Sequence, residues 1–179
     1  MKFSLVATLA AINLDEAQAG CDRNLKTMSN FDVKQYQGRW FDVSSTWSRG
    51  GPCTTADYKI KDNGNLGILN RMWIWWYFMS YFEIGGEGAY NVDDPSKLWV
   101  SIGSKKPVKE GVSNYNVMWT DYKNVSLVYG CKDKWWGRTE ETAWVLTRDW
   151  NLSDETINRY ENQIESMLPG FDETFTKHT

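Results

Sequence analysis

Alternation of apolar and polar residues with a period of two is the feature that most limits how this chain can fold. Such alternation is typical of strands with one buried and one solvated face. It recurs in eight segments, namely 39–47, 54–61, 66–78, 80–90, 98–102, 115–120, 125–129 and 142–147. Short turns separate them, as at Asp62–Asn65, where the Asn-Gly pair favours a hairpin. The pattern therefore predicts sequential antiparallel strands.

The region after these segments predicts one helix. Ser153 is a suitable N-cap, acidic residues follow it, and apolar residues recur at helical spacing until Pro169-Gly170. Closing eight sequential strands into a barrel removes exposed edges that would promote aggregation. We therefore expect an all-β fold, an eight-stranded antiparallel up-and-down β-barrel with one C-terminal α-helix packed on its outside. Such a barrel either holds one small ligand or is filled by its own side chains.

Composition excludes several functions. The chain has 179 residues, enough for one domain, and its net charge of −3 argues against a nucleic-acid partner. Its one histidine, His178, lies one residue from the end, which argues against histidine-dependent catalysis and histidine-bound metals. We expect no metal, no cofactor and no enzymatic activity.

The N-terminus has the features of a secretory signal peptide. Lys2 precedes ten apolar or small residues, and Ala17-Gln18-Ala19 is a suitable cleavage site. Removal of residues 1–19 would leave a single domain over 20–179 in a secreted, extracellular protein. Two alternatives are an N-terminal helix of the mature fold and a bacterial lipid anchor on Cys21.

Three cysteines, Cys21, Cys53 and Cys131, are consistent with an oxidising compartment. Three thiols allow one bridge and one unpaired cysteine, and the residues alone leave all three pairings open. Two sequons, at Asn124 and Asn151, are candidate glycosylation sites.

Three sequence patches together resemble one family. Asn30–Phe41 contains Gly38 and Trp40 and resembles the lipocalin G-x-W motif, and Arg148 at the end of Ala143–Arg148 resembles the third motif. Thr120, Asp121 and Tyr122 resemble the second motif of this family. The chain resembles most the lipocalin group that includes apolipoprotein D and bilin-binding proteins.

This resemblance implies a structural role for the motif residues and a pairing for the cysteines. The Arg148 guanidinium would lie over the Trp40 ring and close one end of the barrel. Cys21 would be bridged to Cys131. Cys53 would stay a free thiol, because the chain lacks the C-terminal cysteine with which its counterpart usually pairs.

The expected function is that of a secreted carrier for a small hydrophobic ligand, such as a retinoid, bilin, carotenoid, steroid or fatty acid. Tyr58 and Asn70 would be polar contacts in an apolar cavity, and Trp144 would offer a stacking surface. Alternation adds further candidate lining residues, namely Ala56, Ile68, Met72, Ile84, Val100 and Met118. The alternative is a barrel that these side chains fill.

An aromatic segment, Met72–Met79, lies where a lipocalin has its open mouth. The part Trp73–Phe78 could form a rim, with Trp135-Trp136, that contacts a membrane or lipoprotein surface. It could equally be local packing or a self-association surface. We expect the protein to be a monomer or a weak dimer. A second alternative function is a thiol-dependent isomerase that uses Cys53.

Overall fold

The computed structural model describes residue 21 and residues 25–47, 53–74, 80–103, 113–135 and 138–178. These residues form nine strands and two helices. The strands are β1 Gly38–Ser45, β2 Thr55–Ile60, β3 Leu66–Ile74, β4 Ser80–Asn91, β5 Asp94–Ile102, β6 Tyr115–Thr120, β7 Val125–Asp133, β8 Thr139–Thr147 and β9 Thr176–Lys177. The helices are α1 Val33–Tyr36 and α2 Asp154–Ser166.

Strand β1 closes the sheet into a barrel. It pairs antiparallel with β2 through its first half and with β8 through its second half, while β2 to β8 pair in sequence order. The turn at Asp62–Asn65 supports one of these pairings, with Gly64 at φ +85°. The predicted eight-stranded barrel with a C-terminal helix is therefore confirmed.

Helix α2 begins and packs as its sequence predicts. The Ser153 hydroxyl accepts a hydrogen bond from the Thr156 backbone N–H, and Ile157 and Ile164 are fully buried. These two side chains join a core cluster with residues of β7 and β8, including Leu127. A second cluster, which includes Trp40, is enclosed by the strands themselves.

Two short elements escape the sequence pattern. Helix α1 is a single turn, capped by the Asp32 carboxylate, which accepts a hydrogen bond from the Lys34 N–H. Strand β9 has two residues and pairs with the end of β1. Beside it, His178 is buried and its Nε2 lies 2.9 Å from the Ser45 hydroxyl. The sole histidine is thus held against β1.

The phase of alternation in β6 corrects one expectation. Tyr115 and Val117 both belong to the enclosed cluster, so alternation places Met118 on the opposite face. The β6–β7 register then shifts between Val117 and Trp119, and Trp119 packs on the same side as Met118. Met118 is buried in the cluster under α2, together with Leu127 and Ile157, while Val117 joins the enclosed cluster. Met118 therefore does not line the barrel interior, contrary to the prediction.

A disulfide joins Cys21 to Cys131, with their Cα atoms 5.4 Å apart and 110 positions between them. This is the pairing that the resemblance implies. Cys53 is an exposed free thiol, also as expected. Residues 1–20, and with them the signal-peptide prediction, lie outside the described residues.

Candidate ligand-binding cavity

The closed end of the barrel is built around Trp40. This side chain is fully buried, and its indole N–H donates a 2.9 Å hydrogen bond to the Tyr36 carbonyl. The Arg148 guanidinium lies 3.6 Å from the ring centroid, an interaction of about 0.5–2 kcal/mol. It also donates to the carbonyl oxygens of Arg39 at 2.6 Å and Gln37 at 2.9 Å. This geometry agrees with the structural role predicted for Trp40 and Arg148.

Gly38 makes room for this arginine. Its φ is +97°, and a Cβ there would lie 3.2 Å from Arg148 Nη1. Both the backbone conformation and the close approach therefore favour glycine at this position.

The Thr120–Val125 turn covers the same end. The Asp121 carboxylate accepts hydrogen bonds from the backbone N–H groups of Asn124 and Val125, and the Thr120 hydroxyl accepts one from the Tyr122 N–H. Burial alone would raise the pKa of Asp121, but these donors leave it lowered. The Tyr122 hydroxyl in turn accepts a hydrogen bond from the Asp32 N–H at 2.8 Å. The predicted motif residues therefore organise a turn.

Above this end the barrel encloses a cavity of about 610 Å³. A volume of this size suits a small organic ligand. Its lining brings together eight of the nine residues predicted from the sequence, namely Ala56, Tyr58, Ile68, Asn70, Met72, Ile84, Val100 and Trp144. The interior formed by the described residues is thus packed at one end and hollow at the other.

A row of hydroxyl groups marks the floor of the cavity. The Tyr58 hydroxyl lies 2.9 Å from that of Tyr115, which lies 3.0 Å from that of Tyr36. Tyr36 also contacts the Ser126 hydroxyl at 2.9 Å. Burial raises the pKa of Tyr36 to about 12, and it raises that of Tyr58 further. These phenols are therefore neutral, and Tyr58 already has a protein partner.

Two other polar side chains on the cavity wall have unmatched atoms. Asn70 Oδ1 and Asp42 Oδ1 are buried and have no hydrogen-bond partner among the described residues. Asp42 Oδ2 accepts a hydrogen bond from the Ser45 hydroxyl at 3.2 Å and lies 4.0 Å from His178 Nε2. Burial raises the pKa of Asp42 to about 7 and lowers that of His178.

Trp144 presents its ring to the cavity beside Tyr115, with the centroids 6.1 Å apart and the planes 28° apart. Gly130 on the adjacent strand allows this placement. A Cβ on Gly130 would lie 2.8 Å from Trp144 Cζ3 and 2.7 Å from the Asn114 carbonyl oxygen. The indole therefore occupies space that any other residue at 130 would fill.

Several lining residues were missed by sequence reasoning. Asp42 lies two positions after Trp40 and shares its face by alternation, but a carboxylate is not expected in an apolar lining. Phe82 and Ile102 also alternate with predicted residues and could have been found. Further missed lining residues are Trp47, Thr54, Thr55, Arg71, Asn114, Tyr115, Lys132 and Leu146.

Cys53 lies outside this cavity. It lines a neighbouring groove of about 560 Å³ with Arg39, Arg71 and Glu83. Asp57 pairs with both arginines, and Glu83 pairs with Arg71. This position does not support an isomerase that acts on a cavity ligand through Cys53. Within the described ranges, no group of three or more His, Cys, Asp or Glu residues could hold a metal ion.

The candidate sequons lie on the surface. Asn124 and Asn151 are both exposed, and the Asn124 amide donates a 2.6 Å hydrogen bond to Asp121 Oδ2.

The structure describes only part of the predicted aromatic rim. Trp73 packs edge-on against Tyr81 with centroids 4.9 Å apart, and Trp135 is 85% exposed. Residues 75–79 and Trp136 lie outside the described residues.

Comparison with known proteins agrees with this geometry. The family model "Lipocalin-like domain" matches residues 31–178. Apolipoprotein D of Mus musculus is 33% identical over 141 residues, covering 76% of this chain and 71% of that protein. The bilin-binding protein of Pieris brassicae is 28% identical over 166 residues, covering 89% and 84%.

A solved structure shows the same fold. Insecticyanin from Manduca sexta superposes with a TM-score of 0.65 at 19% identity, covering 88% of this chain and 85% of that one. The family model covers both the closed end and the cavity. The chain therefore belongs to the lipocalin family.

Proposed function

We propose that this chain is a secreted carrier that binds one small hydrophobic ligand in its barrel. The observation that carries the proposal is the cavity of about 610 Å³, whose wall is largely apolar and includes the indole of Trp144. Such a site holds a ligand by burial of apolar surface and orients it with a few polar groups. The bilin-binding relative, which covers most of this chain, supports the same class of ligand.

Burial of apolar area sets the expected affinity. A ligand that buries roughly 400–500 Å² gains about 10–12 kcal/mol, and association offsets at least ~4 kcal/mol of this. The remainder corresponds to dissociation constants from tens of micromolar to about one micromolar. Because apolar contacts are not directional, we expect several ligand types to bind.

Secretion and a non-enzymatic role belong to this proposal. Residues 1–19 would be removed as a signal peptide, and the Cys21–Cys131 disulfide is consistent with an oxidising compartment. No helix in the described part of the chain is both long and apolar enough to span a bilayer. Mass spectrometry of the secreted protein should show an N-terminus at Gly20 and would reveal a lipid on Cys21 or glycans on Asn124 and Asn151.

A ligand titration tests the carrier function. The purified protein is titrated with retinol, biliverdin, progesterone and oleic acid, and complexes are counted by native mass spectrometry. At least one should bind one-to-one with micromolar affinity. Trp144→Ala should weaken that binding by about 0.5–1.5 kcal/mol, because it removes the stacking surface.

The matched control is Trp150→Ala. Trp150 is 59% exposed and lines the outer groove rather than the cavity, so its loss should leave affinity unchanged. Absence of binding by all four compounds would contradict the carrier function. Equal weakening by the two tryptophan variants would contradict the assignment of the site to the cavity.

A further inference from the structure

A row of alternating charges crosses the outer surface of strands β1 to β4. Arg39 on β1 pairs with Asp57 on β2, which also pairs with Arg71 on β3. Arg71 pairs in turn with Glu83 on β4. Because adjacent strands are about 4.8 Å apart, the backbone positions of this charge row span roughly 14 Å. The signs along the charge row are therefore positive, negative, positive and negative.

The two ends of the charge row are open to solvent. The side chains of Arg39 and Glu83 are 51% and 52% exposed, whereas those of Asp57 and Arg71 are each 27% exposed. Among the described residues, Arg39 pairs with one carboxylate and Glu83 with one guanidinium. Each end of the charge row can therefore accept a further ion pair from another molecule.

The same surface is recessed and carries exposed aromatic rings. The outer groove of about 560 Å³ includes three of the four charged residues of the row, and its lining also includes Phe41, Tyr81 and Trp150. The Tyr81 and Trp150 side chains are more than half exposed. Exposed aromatic side chains beside a groove are typical of protein contact sites. One molecule thus supplies a recess and also exposed rings for the recess of a second molecule, as an isologous twofold contact requires.

The charge row is complementary to itself. When two copies meet face to face about a twofold axis perpendicular to the row, the charge row of one copy opposes that of the other in reverse order. Arg39 then faces Glu83 of the partner subunit, and Asp57 faces Arg71 of the partner subunit, so every position meets the opposite charge. A nucleic acid or an acidic peptide would meet as many negative as positive groups. The pattern of charge therefore favours a second copy of this chain.

We infer that the outer face of β1 to β4 is a self-association surface, on which two copies of this chain form a weak dimer through reversed charge rows. The inference goes beyond the carrier function and does not depend on it. A face only four strands wide, roughly 19 Å, should bury less than the ~800 Å² per partner of a standard interface. The dimer should therefore be reversible, and salt should weaken it.

Sedimentation velocity measures this association. All proteins in the experiment carry Cys53→Ser, because Cys53 is an exposed thiol in the outer groove and disulfide-linked dimers must be prevented. By mass action, the dimer fraction should rise as the protein concentration increases from about 10 to about 500 µM in low salt. It should fall in about 0.5 M NaCl, since salt screens exposed charges. A protein that stays monomeric over this concentration range overturns the inference.

Two charge reversals test the reversed order of the rows. Arg39→Glu puts a carboxylate opposite Glu83 of the partner subunit, and Glu83→Arg puts a guanidinium opposite Arg39 of the partner subunit. Each variant alone should dimerise at least about tenfold more weakly, because like charges meet at two symmetry-related contacts. In an equimolar mixture of the two variants, opposite charges face each other again, so a heterodimer should form about as tightly as the unmodified dimer. Rescue by mixing cannot come from a change within either monomer.

Two further variants serve as controls. Lys59→Glu changes the net charge by the same amount as Arg39→Glu, but Lys59 is exposed on β2 outside the charge row, so association should be unchanged. Trp150→Ala keeps every charge and removes an exposed ring from the outer groove, so it should weaken association by about threefold or more. Near-ultraviolet circular dichroism reports that each variant is folded, and Trp150→Ala alone decides if a charge reversal does not fold.

The outcomes separate the self-association surface from other causes. If both folded charge variants dimerise as tightly as the unmodified protein, or if their mixture stays monomeric, the inference is overturned. A loss in Lys59→Glu as large as that in Arg39→Glu also overturns it, because net charge would then govern association. Ligand titration reports the carrier function separately, so either proposal can fail while the other stands.

Discussion

The two ends of the barrel interior each contain a tryptophan, but its surroundings differ. At the closed end, Trp40 is fully buried, its N–H is paired, and Arg148 covers its ring. At the hollow end, Trp144 lines a cavity of about 610 Å³ together with Tyr58, Asn70 and Met72. The comparison teaches that a tryptophan closes the barrel where another side chain covers its ring, and that it borders a cavity where the described side chains leave the space beside it empty.

Removal of Trp40 should break the closed end. Trp40→Ala deletes a fully buried side chain and the platform under Arg148, so we expect a loss of about 3–5 kcal/mol in the free energy of unfolding. Urea denaturation measures this loss. Trp150→Ala, at an exposed site, should change stability by less than about 0.5 kcal/mol. A loss below about 1 kcal/mol for Trp40→Ala would show that the closed end is not the stabilising half.

Removal of the Asp42 charge should change how the free energy of unfolding depends on pH, which tests the hollow end of the barrel. Burial raises the pKa of Asp42 from 3.8 to about 7, so the folded state binds this proton more tightly than the unfolded state does. The group therefore lowers stability as pH rises from about 4 to about 7. Asp42→Asn should remove this loss. The free energy of unfolding of the variant minus that of the unmodified protein should therefore be up to about 4 kcal/mol larger at pH 8 than at pH 4.

The difference between the two proteins isolates Asp42. Burial lowers the pKa of His178, so His178 raises stability as pH rises towards its unfolded pKa of about 6.5, in both proteins. Because His178 Nε2 lies 4.0 Å from Asp42 Oδ2, its titration depends on Asp42, and unfolding is therefore compared with His178→Gln in both proteins, which removes this contribution. A stability difference that stays constant from pH 4 to pH 8 would argue against a buried, raised carboxyl at the cavity wall.

A side chain introduced at Gly38, next to Arg148, should have the smallest of these effects on stability. Gly38→Ala introduces a Cβ at φ +97° and 3.2 Å from Arg148 Nη1, which should cost about 1–3 kcal/mol. Gly64→Ala is the control, because Gly64 also has positive φ, +85°, but nothing lies within 4 Å of its Cβ position. Thermal unfolding should show the larger loss for Gly38→Ala. Equal losses would mean that backbone conformation alone requires Gly38.

Much of the fold could be predicted because it depends on local periodicity. Alternation locates the strands, and the motif residues Gly38, Trp40 and Arg148 identify the closed end. Met118 was placed on the wrong face, because Val117, Met118 and Trp119 are all apolar and the sequence does not show which of them face the interior. The burial of His178 depends on Ser45, 133 positions away, and such pairing leaves no local signal.

The cavity was predicted in its apolar part and missed in part of its polar chemistry. Ala56, Ile68 and Val100 follow from alternation, because apolar residues at inward positions satisfy the usual preference. Asp42 violates that preference, so the same rule conceals it. The Tyr58 hydroxyl was expected to contact a ligand, but its pairing with Tyr115 becomes visible only when β2 and β6 are placed together.

Gly130 has a consequence for how ligand specificity can diverge among relatives. The tilt of the indole at Trp144, and so the cross-section open to a guest molecule, depends on a position with no side chain at all. A single methyl group added there would lie 2.8 Å from the indole and 2.7 Å from the Asn114 carbonyl oxygen, so both would have to move and the cavity would change shape while every residue on its wall stayed the same. Selectivity can therefore change through the backbone behind the wall as well as through the wall itself.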